Sequence, residues 1–154
     1  MSVTSNTNLL QPTGFRIVIE RAKYGNLEFF AQSVTHPGST ATPFEMPVPK
    51  TQRFPVAADT IEYSDLSISL ILDEDMVAYK EMQDWMQRTV DSSEDLSHDI
   101  TIIILTSHNN ANIKITYEGC LPTQIGSVEL NATAGDVAYI TYEASFRFTK
   151  FTIS

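Results

Sequence analysis

The sequence predicts a mainly β domain carrying a single α-helix, on three grounds. Apolar residues alternate with polar ones in short segments along most of the chain, the period of a half-buried strand. Only one segment, about residues 74–90, shows the i, i+3, i+4 apolar spacing of a helix. Five of the seven prolines crowd between His36 and Ala58, which removes backbone donors there and excludes both helix and central strand.

The elements follow in order. In Phe15-Arg16-Ile17-Val18-Ile19-Glu20, residues Phe15, Ile17 and Ile19 share one face of a strand. Tyr24-Gly25-Asn26 reads as a hairpin turn leading into a second strand over 27–34. The stretch 36–58 reads as a long, stiff, extended loop. Phe44, Met46, Val48, Phe54 and Val56 stud it with apolar side chains that need a surface, and a neighbouring chain is the favoured one. Leu66, Ile68, Leu70 and Leu72 line one face of the next strand. Asp73 can cap the helix, with Glu74 and Asp75 in its first turn and Arg88 near its end. Ala78, Met82, Trp85 and Thr89 form its core stripe. Ile100 to Leu105 is apolar on both faces and reads as a covered central strand. His108 to Asn112 is a turn, after which Ile113, Ile115 and Tyr117 alternate with polar residues. Val128-Glu129-Leu130 reads as a short strand before a turn at Ala134-Gly135-Asp136. Val137 to Ile153 keeps one phase through Phe148 and switches at Phe151, which predicts a bulge or bend near Thr149-Lys150. Unbent, those residues would reach roughly 55 Å, wider than a domain of this size.

Length and charge bound the function. A chain of 154 residues fits a single domain, 1–154. Its net charge of −9 argues against gripping nucleic-acid phosphates or an acidic membrane surface. Twelve of the 19 acids lie between Asp59 and Asp99, beside only Lys80 and Arg88. No apolar run is long enough to span a bilayer, and the start has neither the basic region nor the apolar region of a secretory signal. One cysteine, Cys120, excludes an internal disulfide framework and a multi-Cys zinc site. His36, His98 and His108 fall in turns without metal-ligand spacing. His98-Asp99 lacks an accompanying nucleophile pattern, and Asp73-Glu74-Asp75 is explained by helix capping. No catalytic or metal residue is assigned, no cofactor is implied, and an enzyme is not expected.

Read in order, several segments resemble the tail tube proteins of contractile-tailed, T4-like bacteriophages. Phe29-Phe30-Ala31-Gln32-Ser33-Val34 ends in His36-Pro37-Gly38, and a long loop follows. Val56-Ala57-Ala58-Asp59 leads to Tyr63-Ser64-Asp65-Leu66, with Ala58 where the family typically has glycine. Leu72-Asp73-Glu74-Asp75 and the Tyr79…Trp85 helix look like the family's strand-to-helix junction. Gly119-Cys120-Leu121-Pro122-Thr123-Gln124-Ile125-Gly126 is similar to its Gly-x-x-Pro-x-x-Ile/Val-Gly stretch. The resemblance covers roughly residues 14 to 150.

It implies a β-sandwich or closed β-barrel with one flanking helix, an N-terminal arm at 1–13 and the extended loop at 36–58. It also implies hexameric rings stacked into a hollow tube that conducts DNA, a plan shared by type VI secretion and contractile bacteriocin tubes. Implied partners are other copies of the chain, the tail sheath, baseplate and tail terminator proteins. Tape measure protein and phage DNA would lie in the lumen without specific binding, and no membrane is involved. The protein would be made in the host bacterial cytoplasm and end in the virion. Candidate inter-ring contacts are Phe44, Met46, Arg53 and Phe54; candidate intra-ring contacts are Phe146, Phe148 and Phe151. A baseplate tube-initiator or adaptor ring of the same fold is the nearest alternative, though the chain shows no extra domain or long terminus. An autonomous β-sandwich binding module is more distant, because the aromatics fall mostly on core phases.

Overall fold

Alternation becomes pairing in the computed structural model, which describes residues 8–19, 21–49, 52–93, 95–133, 135 and 139–154. Positions 1–7 of the expected arm, Glu20, Ala134 and Asp136 of the expected turn, and Val137 and Ala138 lie outside the described residues. One sheet runs in the order β1 (Phe15–Val18), β8 (His98–Leu105), β9 (Ala111–Ile125), β10 (Thr141–Arg147), β7 (Leu66–Ile71), β2 (Ala31–Thr35), with β11 (Lys150–Ile153) also on β9. All of its pairings are antiparallel.

Strand β9 makes the sheet a sandwich. Its first part lies between β8 and β11, as in Ile102↔Ile115 and Ile153↔Ile115. Its second part pairs with β10, as in Phe146↔Pro122. The crossing falls at Gly119, whose φ of 66° suits glycine and whose missing Cβ would stand 3.0 Å from Thr149 Oγ1. The break between β10 and β11 falls opposite it, at Phe148 and Thr149, where Thr149 N–H donates to the Glu118 carbonyl at 2.9 Å. The phase switch in the last segment therefore marks a real bend. The long strand fits the domain by bending between the two halves.

Apolar faces close on one core. Leu66, Ile68 and Leu70 of β7 meet Tyr142, Ala144 and Phe146 of β10, and Ile17, Ile100, Ile102, Ile115 and Tyr117 come from the other half. Helix α2 (Val77–Asp91) covers them with Ala78, Met82 and Trp85. Trp85 is fully buried, stacks near Phe146 at 5.6 Å between ring centres, and donates its indole N–H to the Leu96 carbonyl at 3.0 Å. Trp85 is thus a core residue.

Four expectations require correction. Residues 21–30 form a helix, α1 (Arg21–Phe30), not a hairpin turn and the start of a strand, so two helices flank the sheet. Leu27 is 2% exposed, beside Ile17, Ile19, Ile68, Leu70 and Phe146, and Asn26 Nδ2 donates to Glu81 Oε1 of α2 at 2.6 Å. Those contacts outweigh the roughly 1 kcal/mol that Gly25 costs a helix. Helix α2 starts at Val77, not near residue 74, because Met76 takes a left-handed conformation with φ 54°. Glu74 and Asp75 lie in the preceding turn, while Asp73 Oδ2 still accepts from Val77 N–H at 3.2 Å. Val128 to Leu130 is irregular, not strand. The chain leaves β10 at Gly126, where an added Cβ would meet Glu143 N at 3.1 Å, and Leu130 is left exposed. Finally, the barrel is not closed: among the described residues β1, β2 and β11 are each paired on one side only, and β1 and β2 are joined in the chain by α1.

Candidate assembly surfaces

The proline-rich stretch is ordered into two short ribbons. At its root, β3 (Ser39–Thr40) pairs with β6 (Glu62–Tyr63), and Ser64 N–H donates to the Gly38 carbonyl at 3.0 Å. Further out, β4 (Phe44–Met46) pairs with β5 (Phe54–Val56) in the register Phe44↔Val56, Glu45↔Pro55 and Met46↔Phe54. Pro55 is tolerated because a two-stranded ribbon is all edge. Every residue of β4 and β5 is exposed.

Strand geometry sorts those side chains onto two faces. Phe44, Met46, Phe54 and Val56 share one, with exposures of 68%, 51%, 64% and 38%. Glu45 and Pro55 occupy the other, where Arg53 Nη1 reaches Glu45 Oε2 at 2.9 Å. Arg53 therefore already serves within the ribbon, in an exposed pair worth at most about 1 kcal/mol. An isolated hairpin is marginal in water, and this one turns four apolar side chains outward. Phe44, Met46 and Phe54 are brought together as one apolar face, with Arg53 behind it.

The C-terminal aromatics are placed differently. Phe146 is 1% exposed and spends its surface in the protomer's own core, so it has nothing to offer a neighbour, contrary to expectation. Phe148 and Phe151 are half-buried around Tyr117 and Tyr63, with ring centres 5.1 to 6.0 Å from those tyrosines. His36, at the root of the loop, joins them through the Tyr117 hydroxyl and an edge contact with Phe151 at 5.0 Å. This cluster anchors the ribbon's root to the sheet. The sequence pattern missed it because Tyr63, Tyr117 and Phe151 meet only through non-local pairing.

The residues that invited a chemical reading have structural partners. Asp99 Oδ1 accepts from Gly119 N–H at 3.1 Å and so braces the sheet crossing, while His98 lies on Trp85 at 5.2 Å. Cys120 is fully buried, and burial pushes its thiol up to about 12, which leaves it inert at neutral pH. Of the acids between Asp59 and Asp99, most are exposed on α2, its flanking turns and the β6–β7 end. Among the described residues no helix is long and apolar enough to cross a membrane.

The fold is a mainly β sandwich in which β1, β2 and β11 are each paired on one side only and an apolar ribbon turns outward. Residues 3–154 match the family model for phage tail tube proteins, and the chain belongs to that family. It is a structural tube protein and a component of the virion, not an enzyme. No curated protein matches the chain.

Solved structures share the fold at low identity. A chain of the anti-feeding prophage tube-terminating cap is similar with a TM-score of 0.73 and 12% identity, covering 99% of this chain and 95% of that one. A chain of the extended sheath–tube complex of the PVC extracellular contractile injection system gives 0.69 and 13%, covering 99% of each. An Hcp protein gives 0.52 and 11%, covering 92% of this chain and 98% of that one.

Proposed function

We propose that six copies of this chain form a ring, and that rings stack into the inner tube of a contractile phage tail, which conducts DNA during ejection. The observation that carries this reading is the apolar face of the β4–β5 ribbon, anchored at its root and uncovered in the protomer. Stacking would cover Phe44, Met46 and Phe54 on the next ring. The open edges at β1 and β2 would pair between neighbours within a ring, which suppresses wrong edge-to-edge association. The outer parts of Phe148 and Phe151 and the pair Arg53–Glu45 are the remaining contact candidates.

An acidic chain suits a conduit that must let DNA slide, because no basic wall retains phosphates. The sheath would surround the tube, with baseplate and terminator proteins at its ends and tape measure protein inside before DNA. The chain would be made in the host bacterial cytoplasm. A ring in the cap or baseplate is the second reading, favoured by the similarity to chains of the anti-feeding prophage cap and baseplate. Negative-stain microscopy of purified protein separates the readings. Hollow filaments of stacked rings support a tube, isolated rings support the second reading, and compact monomers refute both.

A further inference from the structure

A side-chain hydrogen bond ties the first residue of the proline-rich excursion to the sandwich. His36 Nδ1 meets the hydroxyl of Tyr117, 81 positions away in the sequence. The two partners lie in opposite surroundings. Tyr117 is fully buried in β9, whereas His36 is exposed where the chain leaves β2. Burial holds the Tyr117 phenol well above its ordinary range, so it keeps a proton that needs an acceptor. The imidazole supplies that acceptor on Nδ1 when its own proton sits on Nε2. Pro37, next in the chain, is buried with a fixed φ, and it restricts the backbone of His36 as well.

Rings complete the joint. Phe151 of β11 stands edge-on to His36 at 5.0 Å and 5.3 Å from Tyr63, so one side chain touches both the outgoing and the returning chain. Phe148 packs on Tyr63 at 5.4 Å and on Tyr117 at 5.1 Å. The outgoing and returning chains are joined to each other by Ser39↔Tyr63, Thr40↔Glu62 and the bond from Ser64 to Gly38. Beyond this joint, positions 41–49 and 52–57 are exposed. Phe44, Met46, Phe54 and Val56 stand outside the core cluster, so the direction of the ribbon is set at its root. The rings around Tyr117 would accept a phenylalanine equally well; what its hydroxyl adds is the bond to His36.

We propose that the His36–Tyr117 bond is a latch that holds the β4–β5 ribbon in one direction before a second copy of the chain meets it. The inference rests on the reading of the ribbon as the stacking surface. Without the latch, the root keeps its strand pairing but pivots about His36 and Pro37. Only a fraction of protomers then presents the apolar face correctly, and the apparent affinity falls by that fraction. Holding the ribbon in advance removes an ordering cost from every contact that a ring makes.

Hydrogen exchange on the full chain, kept below the concentration at which it assembles, reads the latch independently of stacking. Tyr117→Phe keeps the ring and leaves no buried polar group unpaired, so Tm should fall by at most about 4 °C. Amides of the β3–β6 root, Ser64 among them, should exchange about tenfold faster or more, while those of β8 and β9 keep their wild-type rates. His36→Ala should give the same pattern, and adding Tyr117→Phe to it should change little, because both remove one bond. The critical concentration for filaments should rise about tenfold in each variant. Wild-type exchange in Tyr117→Phe would overturn the latch, whatever the protein assembles into. Faster exchange with an unchanged critical concentration would overturn it too. The chain carrying Phe44→Ser and Phe54→Ser then shows which reading failed: lost filaments leave the ribbon as the stacking surface, and intact filaments remove that role as well.

Discussion

Replacing Phe44 and Phe54 together by serine tests whether the ribbon is an assembly surface. Their exposures are 68% and 64%, so each phenyl ring presents about 130 Å² of an area near 200 Å². Covering both fully would stabilise a contact by at most about 6.5 kcal/mol at ~25 cal/mol per Å². Partial coverage and the residual burial of serine reduce this to roughly 4 kcal/mol per contact, or about a thousandfold in its association constant. A ring repeats the contact around its circumference, so filaments are expected to disappear at any practical concentration. Neither side chain belongs to the core, so the protomer's own stability should stay within about 0.5 kcal/mol of the wild type. The assay pairs negative-stain microscopy and sedimentation, which read assembly, with a thermal melt, which reads folding. Filaments forming at the wild-type critical concentration would refute the role assigned to the ribbon.

Three further predictions concern the protomer. Gly119→Ala should lower stability by about 1–3 kcal/mol in a denaturant melt, since alanine at φ 66° would also press on Thr149. Leu27→Ala should cost about 2–5 kcal/mol and loosen α1, seen as lower helical circular dichroism; a change below 0.5 kcal/mol would contradict the helix packing. Cys120 should resist thiol reagents until the chain unfolds. Its folded thiol keeps the proton to about 12, above its ordinary value of 9.0, so the unfolded state releases it first as pH rises. Stability should therefore fall between about pH 9 and pH 12, with burial of Tyr117 and Tyr142 acting in the same direction, and Cys120→Ala should flatten part of that slope in melts across the window.

Local pattern determined a definite part of this protein. Alternation placed Leu66, Ile68 and Leu70 on the buried face of β7, and Phe15, Ile17 and Ile19 on one face of the first strand. Helical spacing placed Ala78, Met82 and Trp85 on the covered face of α2. The phase switch at Phe151 located the bend of the last strand, and proline placement kept 36–58 out of the central sheet. These properties are local, because chain periodicity decides which side chains share a face before any partner arrives.

Tertiary structure decided the rest. Phe146 and Phe54 are both aromatics in strands, yet one is buried under Trp85 and the other is 64% exposed. Residues 27–30 fit either period, and the pocket for Leu27 with the bond from Asn26 to Glu81 selected helix. Val128 to Leu130 found no partner strand, and the sheet stopped short of a barrel. A face is written in nearest neighbours, whereas its cover comes from residues distant in sequence, and only the folded chain settles which residues those are.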